Sequence, residues 1–463
     1  MTQEPRFVFM MGKTLLYERM STKKAAIALF FILFLAYCYS TAGTGCNPNP
    51  RLDLLHSIVE HGTLNIDAYH NNTADKAYYD GHYYSDKAPG TALVALPAFL
   101  VAKGLGTFIQ PMRQWDTIGW VTTAGSMGVL AALGGVAMFL LLAGFIDRRY
   151  AFIATATIFL GGLPFAYTPF LFSHSGTIGL LSLSLYFALR RPIEKHGDIT
   201  AGLCAGLAVS GEYTAAIAAI TIAIVIGIQA PKRLIGFSLG AAGPALFVLV
   251  YNWACFGSPF SLGYSYVVGW EGMKNGSFGF SFHTNPFALW ALLFSQARGL
   301  FFWTPFLLLA IPGFGLLYKK NRPLFLVFLS AILLHILLIS SYYTWDGGNA
   351  LGPRHLSAII PFLAVPAAFG FRRFPRIGTF LAVVSILLSG TAVLINPGLP
   401  YFSKPIADFY WPAFINGRVG WNLGRAVGLS VFGSFLFFFL CIFNGIGFIQ
   451  WMLKGKRKNR RDK

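Results

Sequence analysis

An acid and an ammonium stand side by side in the stretch YYSDKAPG, at Asp86 and Lys87, and an arginine and an imidazole do the same in WDGGNALGPRHL, at Arg354 and His355. Carboxylates can take a proton from a hydroxyl, and cations can hold an anionic group such as a departing phosphate. Three further places offer the same chemistry: Arg51 and Asp53 after NPNP, Arg298 after FSQA, and Asp346 ahead of a glycine pair. Each has an ordinary alternative. Asp86 and Lys87 can form a plain ion pair at headgroup level, and Arg354-His355 can be an interfacial anchor. Gly347, Gly348 and Gly352 permit a tight backbone path beside a ligand, or simply make turns. His174, Glu212 and His335 read as structural polar groups.

The elements that must position these residues follow from composition. Of 463 residues 55% are hydrophobic, 16% aromatic and 11% charged, too few polar side chains to cover a water-soluble globule of this size. An all-α polytopic membrane protein is expected. Apolar runs fall at about 24–43, 117–146, 150–169, 173–189, 199–211, 213–229, 234–254, 300–318, 323–342, 356–371, 377–395 and 427–453, which gives about twelve transmembrane helices. With both termini inside, 25 of the 36 Lys and Arg lie on one side with 6 of the 17 acidic residues, and the other side receives 11 of each. The basic face is expected to be cytoplasmic. The net charge of +19 is thereby a topology signal with some attraction to anionic lipid, and no nucleic-acid partner is expected. The run Thr91–Leu105 is short and carries Pro97 and Lys103; making it a span would invert every later loop, so it reads as a membrane-surface helix. Glu212 between two short runs is expected where two helices meet at the outer face, since a carboxylate in hydrocarbon is costly.

The chain is expected to be one transmembrane domain over 1–463, with a long, partly helical first extracytoplasmic loop at 44–116, further outer loops at 255–299 and 396–426, and a basic cytoplasmic tail at 454–463. Leu52, Leu55, Ile58 and Val59 predict a short amphipathic surface helix after Pro50, whose N-terminus suits an anion. No cleavable leader is read in the polar, basic first 24 residues, so the first run is expected to stay as an anchor. Cys38, Cys46, Cys204, Cys255 and Cys441 show no paired spacing; Cys46 and Cys255 share a face but read as unrelated thiols. Asn71-x-Thr73 and Asn275-x-Ser277 match short glycosylation sequons that also arise by chance.

A first span, a long outer loop with a short helix, an acid-Lys-x-Pro element and a second surface helix resemble the GT-C glycosyltransferases, such as protein O-mannosyltransferases and lipid A aminoarabinose transferases. Asp86-Lys87-Ala88-Pro89 is similar to the Glu-Lys-Pro-Pro of the latter, and WDGGNALGPRHL to the Gly-Pro-Arg entry of a late span in bacterial members. The motifs cover about residues 47–107 and 341–360. The resemblance implies an integral, multi-pass enzyme of a bacterial-type inner membrane. Such a hexosyl- or pentosyltransferase would move a sugar, with inversion, from a polyprenyl-phosphate donor to a cell-envelope glycan, lipid or protein. It implies Lys87 as a holder of the donor phosphate, and Arg51, Arg298, Arg354 and His355 are the other outer-face cations available. It leaves the metal open, with room for a divalent cation. Where the family carries an acidic pair after the first span this chain has Asn47-Pro48-Asn49-Pro50, so the base is sought at Asp53 first, Asp86 second and Asp346 third.

A transporter or flippase of a lipid-linked saccharide is the rival reading. Transporters place ionisable groups near the midplane on broken helices of two repeats, whereas here charges cluster at helix ends and no repeat is evident. A scaffold without chemistry leaves the charged first loop unexplained.

Overall fold

The computed structural model describes residues 11–105, 114–190, 196–274, 276–281, 283–399 and 401–454. The chain is an all-α polytopic membrane protein with one small hairpin. Its order is α1 (Met11–Cys38), α2 (Asn49–His56), β1 (Lys76–Tyr79), β2 (His82–Ser85), α3 (Gly90–Leu105), α4 (Gln114–Thr123), α5 (Val129–Ala143), α6 (Arg148–Leu160), α7 (Ser173–Leu189), α8 (Gly197–Gly211), α9 (Ala216–Gln229) and α10 (Arg233–Phe256). It continues with α11 (Pro286–Phe294), α12 (Ala310–Lys320), α13 (Arg322–Ser340), α14 (Ile360–Arg373), α15 (Pro375–Ile395) and α16 (Val431–Lys454).

Each of the twelve apolar runs falls on helix. Seven helices among the described residues are long and apolar enough to cross a membrane: Thr117–Ala143, Arg148–Ala166, Arg233–Phe256, Arg322–Ser340, Arg354–Arg373, Pro375–Ile395 and Val431–Gln450. The other five runs fall on α1, α7, α8, α9 and the broken segment Leu300–Trp303, Pro305–Leu309 and α12. Polar caps start several helices, since the first N–H groups of a helix have no partner within it. Asp147 accepts from Arg149 N at 2.9 Å, Asn321 from Leu324 N at 3.0 Å and Asn285 from Phe287 N at 3.0 Å. Glycines let neighbouring helices touch: a Cβ on Gly202 would lie 1.9 Å from the Phe237 carbonyl oxygen, and one on Gly240 would lie 2.0 Å from that of Ile199. Such small-residue contacts suit a setting in which lipid gives apolar helices no reason to associate.

A second, smaller core lies under the first loop, where Leu52, Leu55, Ala77, Phe99, Ile118 and Tyr251 pack together. It corrects the reading of the loop's first helix. Every residue of α2 is buried, because α3 and the hairpin cover the sides that an amphipathic surface helix would show to solvent. The hairpin itself is an addition. Asp80-Gly81 turns it, with φ of 48° and 83°, the left-handed pair that a two-residue type I′ connection requires.

The two ends of the bundle differ. At one, Lys320 Nζ lies 3.4 Å from the Phe145 carbonyl oxygen, Arg148 reaches the Leu453 carbonyl and Arg233 pairs with Asp198 at 2.6 Å. At the other the long connections gather. The tail 455–463, Arg191 and the Asn275 sequon position lie outside the described residues.

Candidate functional site

The hairpin register explains how two distant acids meet. Lys76 pairs with Ser85 and Tyr79 with His82, so Asp75, just before β1, stands across from Asp86, just after β2. Lys87 then lies between them: its Nζ is 2.8 Å from Asp75 Oδ2 and 2.9 Å from Asp86 Oδ2. The Asp86 side chain is 1% exposed, against 11% each for Asp75 and Lys87. Asp86 Oδ1 is buried with no partner among the described residues. Burial pushes the Asp86 carboxyl above the usual carboxylate range, with Lys87 opposing and Asp75 adding to the rise. Burial acts on Asp75 in the same sense, but the Lys87 ammonium overcomes it and holds that carboxyl below the range.

These three side chains line a cavity of about 480 Å³. Its other walls come from the connections that the charge partition assigns to the outer face. Arg51 enters from α2, Glu212 from the α8–α9 junction, Tyr264 from the loop after α10, and Arg354 and His355 from the turn before α14. Gly90 fixes one of these walls: a Cβ there would lie 2.1 Å from Ser210 Oγ and 2.4 Å from its carbonyl carbon. That approach sets the DKAPG stretch against the last turn of α8, two residues from Glu212. Gly347 does the same for Arg354, whose Nε would be 2.8 Å from an added Cβ.

The two arginines have no carboxylate partner among the described ion pairs. Arg51 Nη1 donates to the Asn47 carbonyl at 2.7 Å and to its Oδ1 at 2.9 Å, while Arg51 Nε is buried and unpartnered. Arg354 lies over the Phe172 ring at 5.5 Å, and its Nε is likewise buried and unpartnered. Guanidiniums with spare donors suit anions, and two of them line this cavity. Glu212 accepts from Ser173 Oγ at 2.8 Å and from Thr214 Oγ1 at 3.2 Å, with His174 Nδ1 at 3.5 Å.

Of the residues singled out in the sequence, the structure brings Arg51, Asp86, Lys87, Arg354 and His355 to this cavity. Asp53, Asp346 and Arg298 are not among its lining residues. Asp53 is fully buried, accepts from Asn72 Nδ2 at 2.8 Å, and has its carboxyl pushed up to about 7 by burial, against which the Asn72 bond works. Arg298, 1% exposed, holds the 346–348 turn by donating to the carbonyls of Asp346 at 2.6 Å and Gly348 at 2.5 Å. Asp346 caps that turn, accepting from Thr344 Oγ1 at 3.1 Å. Asp75 escaped the sequence reading as a site residue, and Glu212 and His174, read there as structural, line the cavity. The Asp80-Gly81 turn was the available signal for Asp75. Asn47 and Asn49 tie the loop: Asn49 Nδ2 donates to the Asn72 carbonyl at 2.8 Å, and Asn47 Nδ2 to Asp75 at 3.4 Å. Among the described residues no group of three His, Cys, Asp or Glu is placed to hold a metal ion; between Asp75 and Asp86 the Lys87 ammonium takes the position a cation would need. All five cysteines are free, Cys46 exposed and Cys255 buried.

No family model matches the chain, and no curated protein matches it in sequence. Among solved structures it is similar to ArnT from Cupriavidus metallidurans in the apo state, at 13% identity and a TM-score of 0.44 over 96% of this chain and 77% of that one. It is similar also to ArnT from the same organism bound to undecaprenyl phosphate, at 14% identity and a TM-score of 0.46 over 95% and 78%. A third likeness is to the archaeal oligosaccharyltransferase AglB from Archaeoglobus fulgidus in complex with an inhibitory peptide and a dolichol-phosphate, at 14% identity and a TM-score of 0.39 over 94% of this chain and 55% of that one.

Proposed function

We propose that the chain is a membrane glycosyltransferase of the GT-C type, moving a sugar from a polyprenyl-phosphate donor to a cell-envelope acceptor at the extracytoplasmic face. The observation that carries this reading is the cavity in which two carboxylate-free arginines, Arg51 and Arg354, stand beside the buried carboxylates of Asp75 and Asp86. Transfer with inversion needs both kinds of group. A carboxylate takes the proton of the acceptor hydroxyl, whose oxygen bonds to the anomeric carbon. The bond from that carbon to the phosphate oxygen breaks on the opposite face, and the electron pair leaves with the polyprenyl phosphate. Arginine forks match the phosphate oxygens, and the burial of Arg51 strengthens its field. A transporter would need such charges at the midplane; here they collect at helix ends. The test is to reconstitute the full chain in lipid nanodiscs with polyprenyl-phosphate-linked hexoses and pentoses. Release of polyprenyl phosphate with a sugar-bearing acceptor is expected. No release from any donor, together with unchanged envelope glycans by mass spectrometry in cells lacking the protein, would overturn it.

A further inference from the structure

Lys87 is the one cation of the cavity that is already committed. Its ammonium has three donors, and two of them meet Asp75 and Asp86 at 2.8 and 2.9 Å in a largely buried setting. A phosphate recruited by Lys87 would have to share that ammonium with two carboxylates, which repel it. Arg51 and Arg354 carry no such burden, and each has a buried, unpartnered Nε.

We propose that Lys87 and Asp75 form a positioning unit for the Asp86 carboxylate, which takes the acceptor proton, and that the phosphate is held by Arg51 and Arg354 without Lys87. The proton-accepting role rests on the transferase reading; the three-residue unit does not. Its geometry is built by the chain. The Asp80-Gly81 hairpin sets residue 75 against residue 86, and the loop after α10 closes over Asp86, with the Cβ position of Gly263 only 3.2 Å from Asp86 Cα. Asp86 Oδ2 is fixed by Lys87 while the buried Oδ1 stays without a partner, so one oxygen is oriented and the other has its lone pairs unused.

Around Asp86 stand Lys87 beside it, Asp75 across the hairpin, Arg51 from α2, Tyr264 from the loop after α10, and Tyr342 and Tyr343 after α13, and the same cavity holds His174, Glu212, Arg354 and His355. Among them Lys87 favours the ionised carboxylate and Asp75 disfavours it. Removing each should therefore move the protonation of Asp86 in opposite directions, a result that general loosening of the fold would not give.

The experiment is an infrared pH titration of the full chain in nanodiscs, following the protonated-carboxyl band that disappears in Asp86→Asn. Asp75→Asn is expected to lower its midpoint and Lys87→Met to raise it, each by roughly one pH unit, with Lys87→Arg returning it toward wild type. Binding of undecaprenyl phosphate gives the second arm. A Lys87→Met, Asp75→Asn double variant, which keeps the net charge of the cavity, should change its Kd by less than about threefold, and Arg354→Gln should weaken it by roughly ten- to a hundredfold. Equal or same-direction midpoints in the two single variants, or a loss of binding in the charge-conserving double variant as large as in Arg354→Gln, overturns the proposal. A wild type that transfers no sugar while the midpoints diverge would reject the transferase reading and leave the unit standing.

Discussion

What a carboxylate can do depends on what it faces, and Asp53 faces Asn72 in a buried setting. Burial pushes its carboxyl up to about 7 from an ordinary 3.8, so the folded chain holds that proton more tightly than the unfolded one. Its contribution to stability is fully present below 3.8 and is lost as pH rises through about 7. Asp53→Asn keeps the shape and removes the titration. We therefore expect thermal melts of this variant to lose less stability than wild type across that window, and its turnover to stay within a few-fold. Asp86→Asn should instead lose roughly 10² to 10⁴ in rate, the usual cost of removing a general base. Rates of the two variants at one pH decide between them, and near-complete loss in Asp53→Asn alone would return the base to that residue. The sequence offered both acids, and Asp53 came first because it lies just beyond the place where the resembled family carries its acidic pair. Only the fold reveals that one acid lines a cavity and the other does not.

Short elements do the positioning, and they were the least legible part of the chain. A hydropathy scan passes over the hairpin because β1 and β2 are four residues each, although Asp-Gly between tyrosine-rich runs is a strong turn signal. The α2 helix was legible as a helix but not as a buried one. Its burial comes from α3 and the hairpin, and nothing local to residues 49–56 encodes that. Glu212 was legible as a helix junction, whereas its cavity wall depends on Gly90 meeting Ser210. That contact makes an element-scale prediction. Gly90→Val puts atoms where Ser210 already sits, at 2.1 Å from the first added carbon. Overpacking of this kind costs about 1–3 kcal/mol. A lowered melting temperature and weaker undecaprenyl phosphate binding are expected. Gly243→Ala, in α10 with no atom near its Cβ position, is the matched control and should leave both unchanged.

At the scale of the whole molecule, the charge count alone anticipated which connections would share an end. The six connections assigned to the outer face, after α1, α6, α8, α10, α13 and α15, all contribute to the cavity, while Lys320 and Phe145 meet at the opposite end, where Arg148 also lies. The number of crossings was less legible, because α8, α9 and α12 are 15, 14 and 11 residues long, shorter than the roughly 20 that span a bilayer unaided. Sidedness is the remaining expectation. The translocation machinery retains Lys and Arg on the cytoplasmic side in short loops, so the end bearing Lys319, Lys320, Arg148 and Arg372 should face the cytoplasm. Single cysteines in a background lacking the native five test this. Asp80→Cys, at the exposed hairpin turn, should react with a membrane-impermeant maleimide on intact cells, and Lys319→Cys, exposed at the other end, only after the membrane is opened. Labelling of both from one side would break the arrangement of the bundle. Labelling in the reverse order would leave the bundle intact, turn the cavity to the cytoplasm, and remove the extracytoplasmic acceptor from the proposed reaction.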